Sequence, residues 1–322
     1  MIETKMGNIV AVTGGTGFIG KALVKELLKA GFVVRLLTRR ANAGNIFRSD
    51  QVEIWNGDLC DPEVLPGFVD SVNTVYHLAG EIHDPHRSWS VNAQGTTHLL
   101  SACGSARVRR FFYLSSTGVM GASGVAGRLD ETAVAQPRNT YEASKYAGEC
   151  AALQSHGDHD MQVSIVRPSI VFGEGQNRKM DSFLSWVRMV NKGHFVLLGG
   201  DYISSYAYVG DVVAACLTVA NHSQTGGQVY IVNEPARLTK FVNEMATILG
   251  VRKPRILPPP VGAIVAKLLK LSGRFGSLYN RTLFSMDKLS DLGFKLPYGY
   301  KEGLARTIAR YREEGMLPRT HA

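Results

Sequence analysis

The chain has 322 residues, 45% hydrophobic and 20% charged, with a mean hydropathy of −0.03, proportions that exclude a disordered or fibrous chain. No apolar run reaches the length of a membrane span and Met1-Ile-Glu-Thr-Lys5 lacks a signal-peptide pattern, so a cytoplasmic protein without membrane insertion is expected. The net charge of +9 favours anionic ligands; because Lys/Arg runs stop at pairs such as Arg39-Arg40 and Arg109-Arg110, small anions are expected rather than nucleic acid.

The first element is an apolar strand, Asn8 to Thr13, followed by Gly14-Gly-Thr-Gly-Phe-Ile-Gly20 and a helix whose apolar positions include Ala22, Leu23, Leu27 and Leu28. Strand, glycine turn and helix in this order predict a dinucleotide site. Gly14 makes the sharp turn, Gly17 lets backbone approach a pyrophosphate, and Gly20 lets the helix lie close on the sheet. Backbone N–H groups and the positive helix end hold the anion, with Thr16, Phe18 and Ile19 in the same loop.

Apolar runs then alternate with helical stretches: Val33 to Leu37, Val52 to Trp55, Thr74 to Leu78, Phe111 to Leu114 and Gln162 to Val166. That alternation predicts an α/β fold, a doubly wound parallel sheet of the Rossmann type. The second strand ends Leu36-Leu-Thr-Arg-Arg40 without a carboxylate. An acid there would accept from the ribose 2′-hydroxyl of NAD; Arg39 and Arg40 suit a 2′-phosphate instead, so NADP is preferred over NAD. Cys60, Cys103, Cys150 and Cys216 lack metal or redox spacing and read as buried thiols. His77 reads as a core residue, and His83 and His86 find no third ligand, so no metal is expected.

Tyr141 and Lys145 stand four apart, on one face of a helix. A phenol with an ordinary pKa of about 10 is a poor base; a neighbouring ammonium and a positive nicotinamide would favour the phenolate. From about Phe172 the regularity breaks, with Gly173-Glu-Gly-Gln-Asn177, Gly199-Gly200 and Pro258-Pro-Pro260 intervening. A smaller, mostly helical lobe is expected there. The late run Gln228 to Val232 returns to the sheet, giving a cofactor domain of residues 1–172 and 209–234 and a substrate lobe of 173–208 and 235–322. Val261 to Leu271, interrupted by Lys267 and Lys270, reads as a packed helix rather than a membrane anchor.

Taken in order, Gly14-x-x-Gly17-x-x-Gly20, Gly57-Asp58-Leu59, His77-Leu78-Ala79-Gly80, Asn92, Ser115-Ser-Thr-Gly-Val-Met-Gly121, Tyr141-x-x-x-Lys145 and Arg167-Pro-Ser-Ile-Val-Phe-Gly173 resemble the extended short-chain dehydrogenases/reductases. The resemblance implies that Ser116, with Ser115 and Thr117 as alternatives, hydrogen-bonds the reacting oxygen and that Tyr141 moves the proton. It implies that Lys145 holds the nicotinamide ribose and Asp58, beside Leu59, the adenine. Leu78, Ala79 and Gly80 would pass close to the cofactor, Asn92 would steady the site through the helix it starts, and Pro168, Ile170 and Val171 would complete the cofactor site. Ser116, Thr117, Asn177, Arg178, Arg274 and Arg281 are the implied substrate contacts, with Lys179 a further candidate.

Dehydratases of this family carry an Asp-Glu pair after the catalytic Ser/Thr, where this chain has Thr117-Gly118. Elimination lacks its acid and base, which leaves hydride transfer. The chain resembles nucleotide-sugar 4-ketoreductases and 4-epimerases most, although the late Arg-x-x-Asp pattern of many UDP-sugar epimerases is not evident. The alternative is a dihydroflavonol-reductase or 3β-hydroxysteroid-dehydrogenase type of reductase with Phe172, Trp186, Phe195 and Tyr206 as pocket walls. A third reading is a cofactor-bound scaffold subunit without catalysis; such chains usually lose the Ser/Tyr/Lys set that is kept here. Resemblance also implies a homodimer through the segments Asn92 to Cys103 and Tyr141 to Gln154.

Overall fold

Runs of β-branched and aromatic residues form the central sheet because both of its faces are covered. A computed structural model describes residues 9–40, 43–47, 49–121, 128–175, 181–198, 203–257, 261 and 282–318. The sheet consists of β1 (Ile9–Thr13), β2 (Val33–Thr38), β3 (Val52–Asn56), β4 (Thr74–His77), β5 (Arg110–Leu114), β7 (Gln162–Pro168) and β11 (Gln228–Val232). Shorter strands are β6 (Arg128–Leu129), β8 (Ile170–Phe172), β9 (Val196–Leu198), β10 (Ile203–Tyr208), β12 (Glu234–Arg237), β13 (Arg255–Leu257) and β14 (Leu283–Phe284). The seven main strands are ordered β11-β7-β5-β4-β1-β2-β3 and every pairing is parallel, as in Ala11 with Arg35 and Tyr113 with Ile165. Order reverses beside β1, the switch point at which open α/β sheets bind ligands. Gln228–Val232 does return to the sheet, as its edge strand beside β7.

The helices are α1 (Phe18–Lys29), α2 (Gly44–Phe47), α3 (Leu65–Val69), α4 (Pro85–Trp89), α5 (Gly95–Ser105), α6 (Thr140–Gln154), α7 (Ser182–Asn191), α8 (Val209–Asn221), α9 (Leu238–Leu249), α10 (Asp287–Asp291) and α11 (Gly299–Glu313). Strand alternation sends Val10, Val12, Phe112, Val166 and Val232 to one face, against Leu23, Leu27 and Val213 of α1 and α8. It sends Ala11, Val75, Phe111, Tyr113 and Ile165 to the other, against Phe68, Leu99 and Ala152 of α3, α5 and α6. A third core joins α7, α9 and α11, with Tyr206 stacked on Phe241 at 4.0 Å between ring centroids.

This third core corrects one expectation. Phe172, Phe195 and Tyr206 are 1, 7 and 2% exposed and pack inside it rather than lining a pocket, with Trp186 against Phe183 and Phe195 at its edge. Alternation within β8 and β10 turns Phe172 toward Phe183 of α7 and Tyr206 toward Phe241 of α9. Arg110, at the start of β5, donates from its Nη1 to the Ala220 carbonyl of α8 at 3.0 Å. Cys103 and Cys216 are buried, Cys60 and Cys150 half-buried, and all four are free thiols. Among the described residues no helix is long and apolar enough to cross a membrane; most of Val261 to Leu271 lies outside them.

Two glycines fix how closely α1 meets the strand ends. Gly14 has φ +71° and a Cβ there would stand 2.5 Å from Ala79 N, while one on Gly20 would run into the Gly14 carbonyl. Gly20→Ala should therefore destabilise the protein by about 1–3 kcal/mol, the usual cost of overpacking, with a lowered urea midpoint and an unchanged m-value.

Candidate active site

At the switch point the chain builds an anion cradle. Helix α1 starts at Gly17 with extended backbone and no side chain capping its first N–H groups. Gly17 is exposed and Thr16, Phe18 and Ile19 are half-buried, so those donors at the positive helix end remain free for an anion. The closeness of Gly14 to Ala79 leaves no room for side chains at its rim. The residues present thus fit a dinucleotide pyrophosphate. Leu78 and Ala79 follow β4 with their side chains against the two sheet cores, and Gly80 follows beside Asn92.

Below this loop runs a buried hydrogen-bond chain. Ala79 N donates to Thr13 Oγ1 at 3.2 Å, and Thr13 Oγ1 lies 2.6 Å from His77 Nδ1. On the other side His77 Nε2 lies 2.9 Å from Thr96 Oγ1, whose own proton goes to the Asn92 carbonyl at 2.7 Å. With Thr96 spent as a donor, Nε2 must carry the ring proton and Nδ1 must accept from Thr13. Asn92 Nδ2 donates to Ser144 Oγ at 2.9 Å and Ser144 Oγ to the Tyr141 carbonyl, also at 2.9 Å. His77 is thus the satisfied core residue that its strand position suggests.

Asn92 departs from expectation. It does not start a helix: the helix opens at Pro85, capped by Asp84, and Asn92 lies in a π-helical turn, Ser90–Gln94, that joins α4 to α5. Fully buried, it spends its amide on Ser144 and on the backbone of Glu81, whose N–H it accepts at 2.8 Å. Its side chain thereby joins the backbone of Glu81 to Ser144 of α6.

Ser116, Tyr141 and Lys145 come together where β5 meets α6. Ser116 Oγ caps the 3₁₀ turn Thr117–Met120 by accepting from Gly118 N at 3.1 Å and lies near enough to the Tyr141 phenol to act on it. Burial pushes the Tyr141 phenol up to about 12, with Ser116 opposing it. Lys145 is not drawn to Tyr141 as expected: its Nζ donates to the Leu114 carbonyl at 2.6 Å and lies 4.0 Å over the Tyr113 ring. Burial pushes its ammonium down to about 7, with the Glu149 carboxylate opposing. Glu149, one turn further along α6, is clamped by Arg167 of β7 through Nε at 3.1 Å and through Nη2. The i, i+4 spacing of Lys145 and Glu149 was the signal for this second acid.

Glu142 is another residue that the motif reading passed over. A Cβ on Gly118 would stand 3.2 Å from its Cγ and 3.3 Å from Ser116 Oγ, so the carboxylate neighbours Ser116. Arg138 engages it through its backbone N at 2.7 Å, Nε at 3.2 Å and Nη2 at 2.8 Å. Thr117 is buried.

Beyond β3, Asp58 makes an Asx turn by accepting from Cys60 N at 3.0 Å. Its other oxygen meets Arg39 and Arg87, each at 3.5 Å. Arg40 N donates to Thr38 Oγ1, and its charge faces Lys21. The Leu59 side chain is buried in the core against Gly95, leaving only its backbone at the site. Pro168 ends β7 opposite Val232; Ile170, 37% exposed, and half-buried Val171 lie on β8, which pairs with β10 rather than with the main sheet. Asn177, Arg178, Lys179, Arg274 and Arg281 lie outside the described residues. Among the described residues no group of three His, Cys, Asp or Glu could hold a metal.

Fold and site together define a nucleotide-cofactor enzyme of the doubly wound α/β class. The chain belongs to the NAD dependent epimerase/dehydratase family, whose model matches residues 10–233, and is an oxidoreductase or epimerase of that type. It is 30% identical over 346 residues, 96% of this chain and 92% of the relative, to a 3 beta-hydroxysteroid dehydrogenase/Delta 5-->4-isomerase of Mycobacterium tuberculosis. It is 27% identical to the UDP-glucose 4-epimerase of Vibrio cholerae, over 96% of this chain and 97% of the relative. The solved structure of MoeE5 in complex with UDP-glucose and NAD is similar with a TM-score of 0.75 and 27% identity, over 95% of this chain and 99% of that one.

Burial, aided by the Lys145 charge, holds the His77 pKa well below its ordinary value. The unfolded ring takes up a proton below about pH 6.5 while the folded one stays neutral, so this stability is present above that pH and lost as pH falls. Urea unfolding between pH 7 and 5 should show a loss approaching about 1.4 kcal/mol per pH unit that His77→Gln removes; an unchanged slope in that variant would refute the assignment.

Proposed function

We propose that the protein transfers hydride between a nicotinamide cofactor and a carbinol or ketone, with reduction of a 4-keto nucleotide sugar as the leading reading. The observation that carries the chemistry is the placing of Ser116 beside the Tyr141 phenol, next to a carboxylate, Glu142, already held by Arg138. Tyr141 delivers or removes the proton at the reacting oxygen and Ser116 steadies that oxygen. Among the described residues no carboxylate next to Ser116 stands free for elimination. The nicotinamide, when bound, supplies or takes the hydride, and Lys145 holds its ribose. Its charge is sustained by Glu149.

A sugar nucleotide is supported by the UDP-glucose relatives, by the net charge of +9 and by the burial of Phe172, Phe195 and Tyr206, which removes the walls of an apolar pocket. The steroid-dehydrogenase relative keeps an apolar ketone as the second reading. NADP over NAD is supported by Arg39 and Arg40 at the end of β2, where no carboxylate stands. The division into residues 1–172 with 209–234 and 173–208 with 235–322 belongs to the same proposal. So does a homodimer, for which α5 and α6 leave an open groove lined by Thr97, Ser101, Ala151 and Ser155.

Nucleotide released on denaturing the purified protein separates the enzymes: stoichiometric NAD means an epimerase that recycles it, and an empty protein preferring NADPH means a reductase. Tyr141→Phe should lower turnover of a 4-keto nucleotide sugar by about 10²–10⁴-fold with cofactor affinity unchanged. Full retention of turnover would sink the role given to Tyr141.

A further inference from the structure

Resting on the NADP reading above, we propose that Arg87 is a second specificity residue, clamping the 2′-phosphate of the cofactor together with Arg39. Arg39 leaves the end of β2, and Arg87 stands on α4, after β4. The two guanidiniums approach from different elements and meet on one atom. Arg39 Nη1 and Arg87 Nη2 each lie 3.5 Å from Asp58 Oδ2.

This convergence has little to do with stability, because the arginine side chains are 52 and 43% exposed and exposed ion pairs at such separations contribute little. Its consequence is electrostatic: two cations share one carboxylate, and the other oxygen of that carboxylate is engaged by Cys60 N. Glu81 also faces Arg87, but accepts from the backbone N–H groups of His83 and Asp84. The pair therefore holds positive charge in excess of its nearest partner.

Two nitrogens in contact with one oxygen can be no further apart than the two contacts laid end to end. A phosphate spans that gap with a charge-assisted hydrogen bond of about 2.8 Å on either side. The planar forks suit its oxygens, and its negative charge meets the positive charge that Asp58 leaves unmatched. A 2′-hydroxyl brings no charge, so NADH gains nothing from Arg87. The base of the side chain is fixed, since Arg87 N donates to the Asp84 carbonyl at 3.1 Å within the capped first turn of α4. The sequence motif could not supply this residue, which lies 48 positions after Arg39 and reaches Asp58 only through the fold.

The test is equilibrium binding of NADPH, NADH and 2′,5′-ADP to the full chain, wild type, Arg87→Ala and Arg87→Lys. Arg87→Ala should weaken NADPH and 2′,5′-ADP by about tenfold or more and leave NADH within about twofold. Arg87→Lys should recover part of the loss, and thermal unfolding without ligand should not move. Equal weakening of NADPH and NADH, as from lost stacking on adenine, overturns the clamp, as does unchanged NADPH affinity. A wild type that prefers NADH overturns the NADP reading itself and the clamp with it. A wild type that prefers NADPH with an indifferent Arg87→Ala removes Arg87 alone.

Discussion

His77 is buried with one ring nitrogen facing Thr13 and the other facing Thr96, and that single imidazole ties the two halves of the site together. Each group in the chain from Ala79 N–H to the Tyr141 carbonyl has a definite direction, because Thr96 must donate to Asn92 and Ser144 to Tyr141. Reversing one link sets donor against donor in a dry interior, at about 1–3 kcal/mol for each group left unpaired. The loop after β4 and the first turn of α6 therefore cannot shift independently. Distance between the anion cradle and the Tyr141 ring is set by covalent strands and this chain, not by surface loops.

A second constraint acts on charge. Lys145 lies against the sheet over Tyr113, where burial works against its ammonium. Glu149 restores the balance from the same helix, and Arg167 holds Glu149 in place from β7. One nitrogen of Arg167, Nη1, is buried without a partner, as are Ser115 Oγ, Ser169 Oγ and Asn233 Oδ1. All four residues belong to the ends of the neighbouring strands β5, β7 and β11. Buried polar atoms are rarely left so, and their gathering at the strand ends fits an edge held open for polar company.

Much of this was legible in the sequence because it rests on local rules. Period-two apolar runs, the glycine turn and the Tyr141–Lys145 spacing each report a short-range geometry that tertiary packing kept. What escaped depends on meetings between distant segments. Arg87 and Asp58 are neighbours only because β3 and β4 flank β1 and β2 in the sheet. Asn92 looked like a helix start, yet the helix had begun at Asp84-Pro85, a capping signal masked by its short first segment. The aromatic residues after Phe172 could not be sorted into wall or core by composition, since both need large apolar side chains.

Chemistry and substrate choice are consequently built in different ways. Ser116 follows β5, and Tyr141 and Lys145 stand on α6, which is tied to β5 by the Tyr113 hydroxyl on the Lys145 carbonyl and by Lys145 Nζ on the Leu114 carbonyl. In the proposed reaction they act on a carbonyl and its carbon, and sense nothing of what those atoms belong to. Selection has to come from residues beyond that edge, and the third core of α7, α9 and α11 uses its own aromatic rings for packing. A rigid lobe of that kind presents loops rather than core residues to a ligand. Substitutions there can exchange one alcohol for another without touching the strand ends, and this explains how relatives named for steroids and for nucleotide sugars both align with nearly the whole chain.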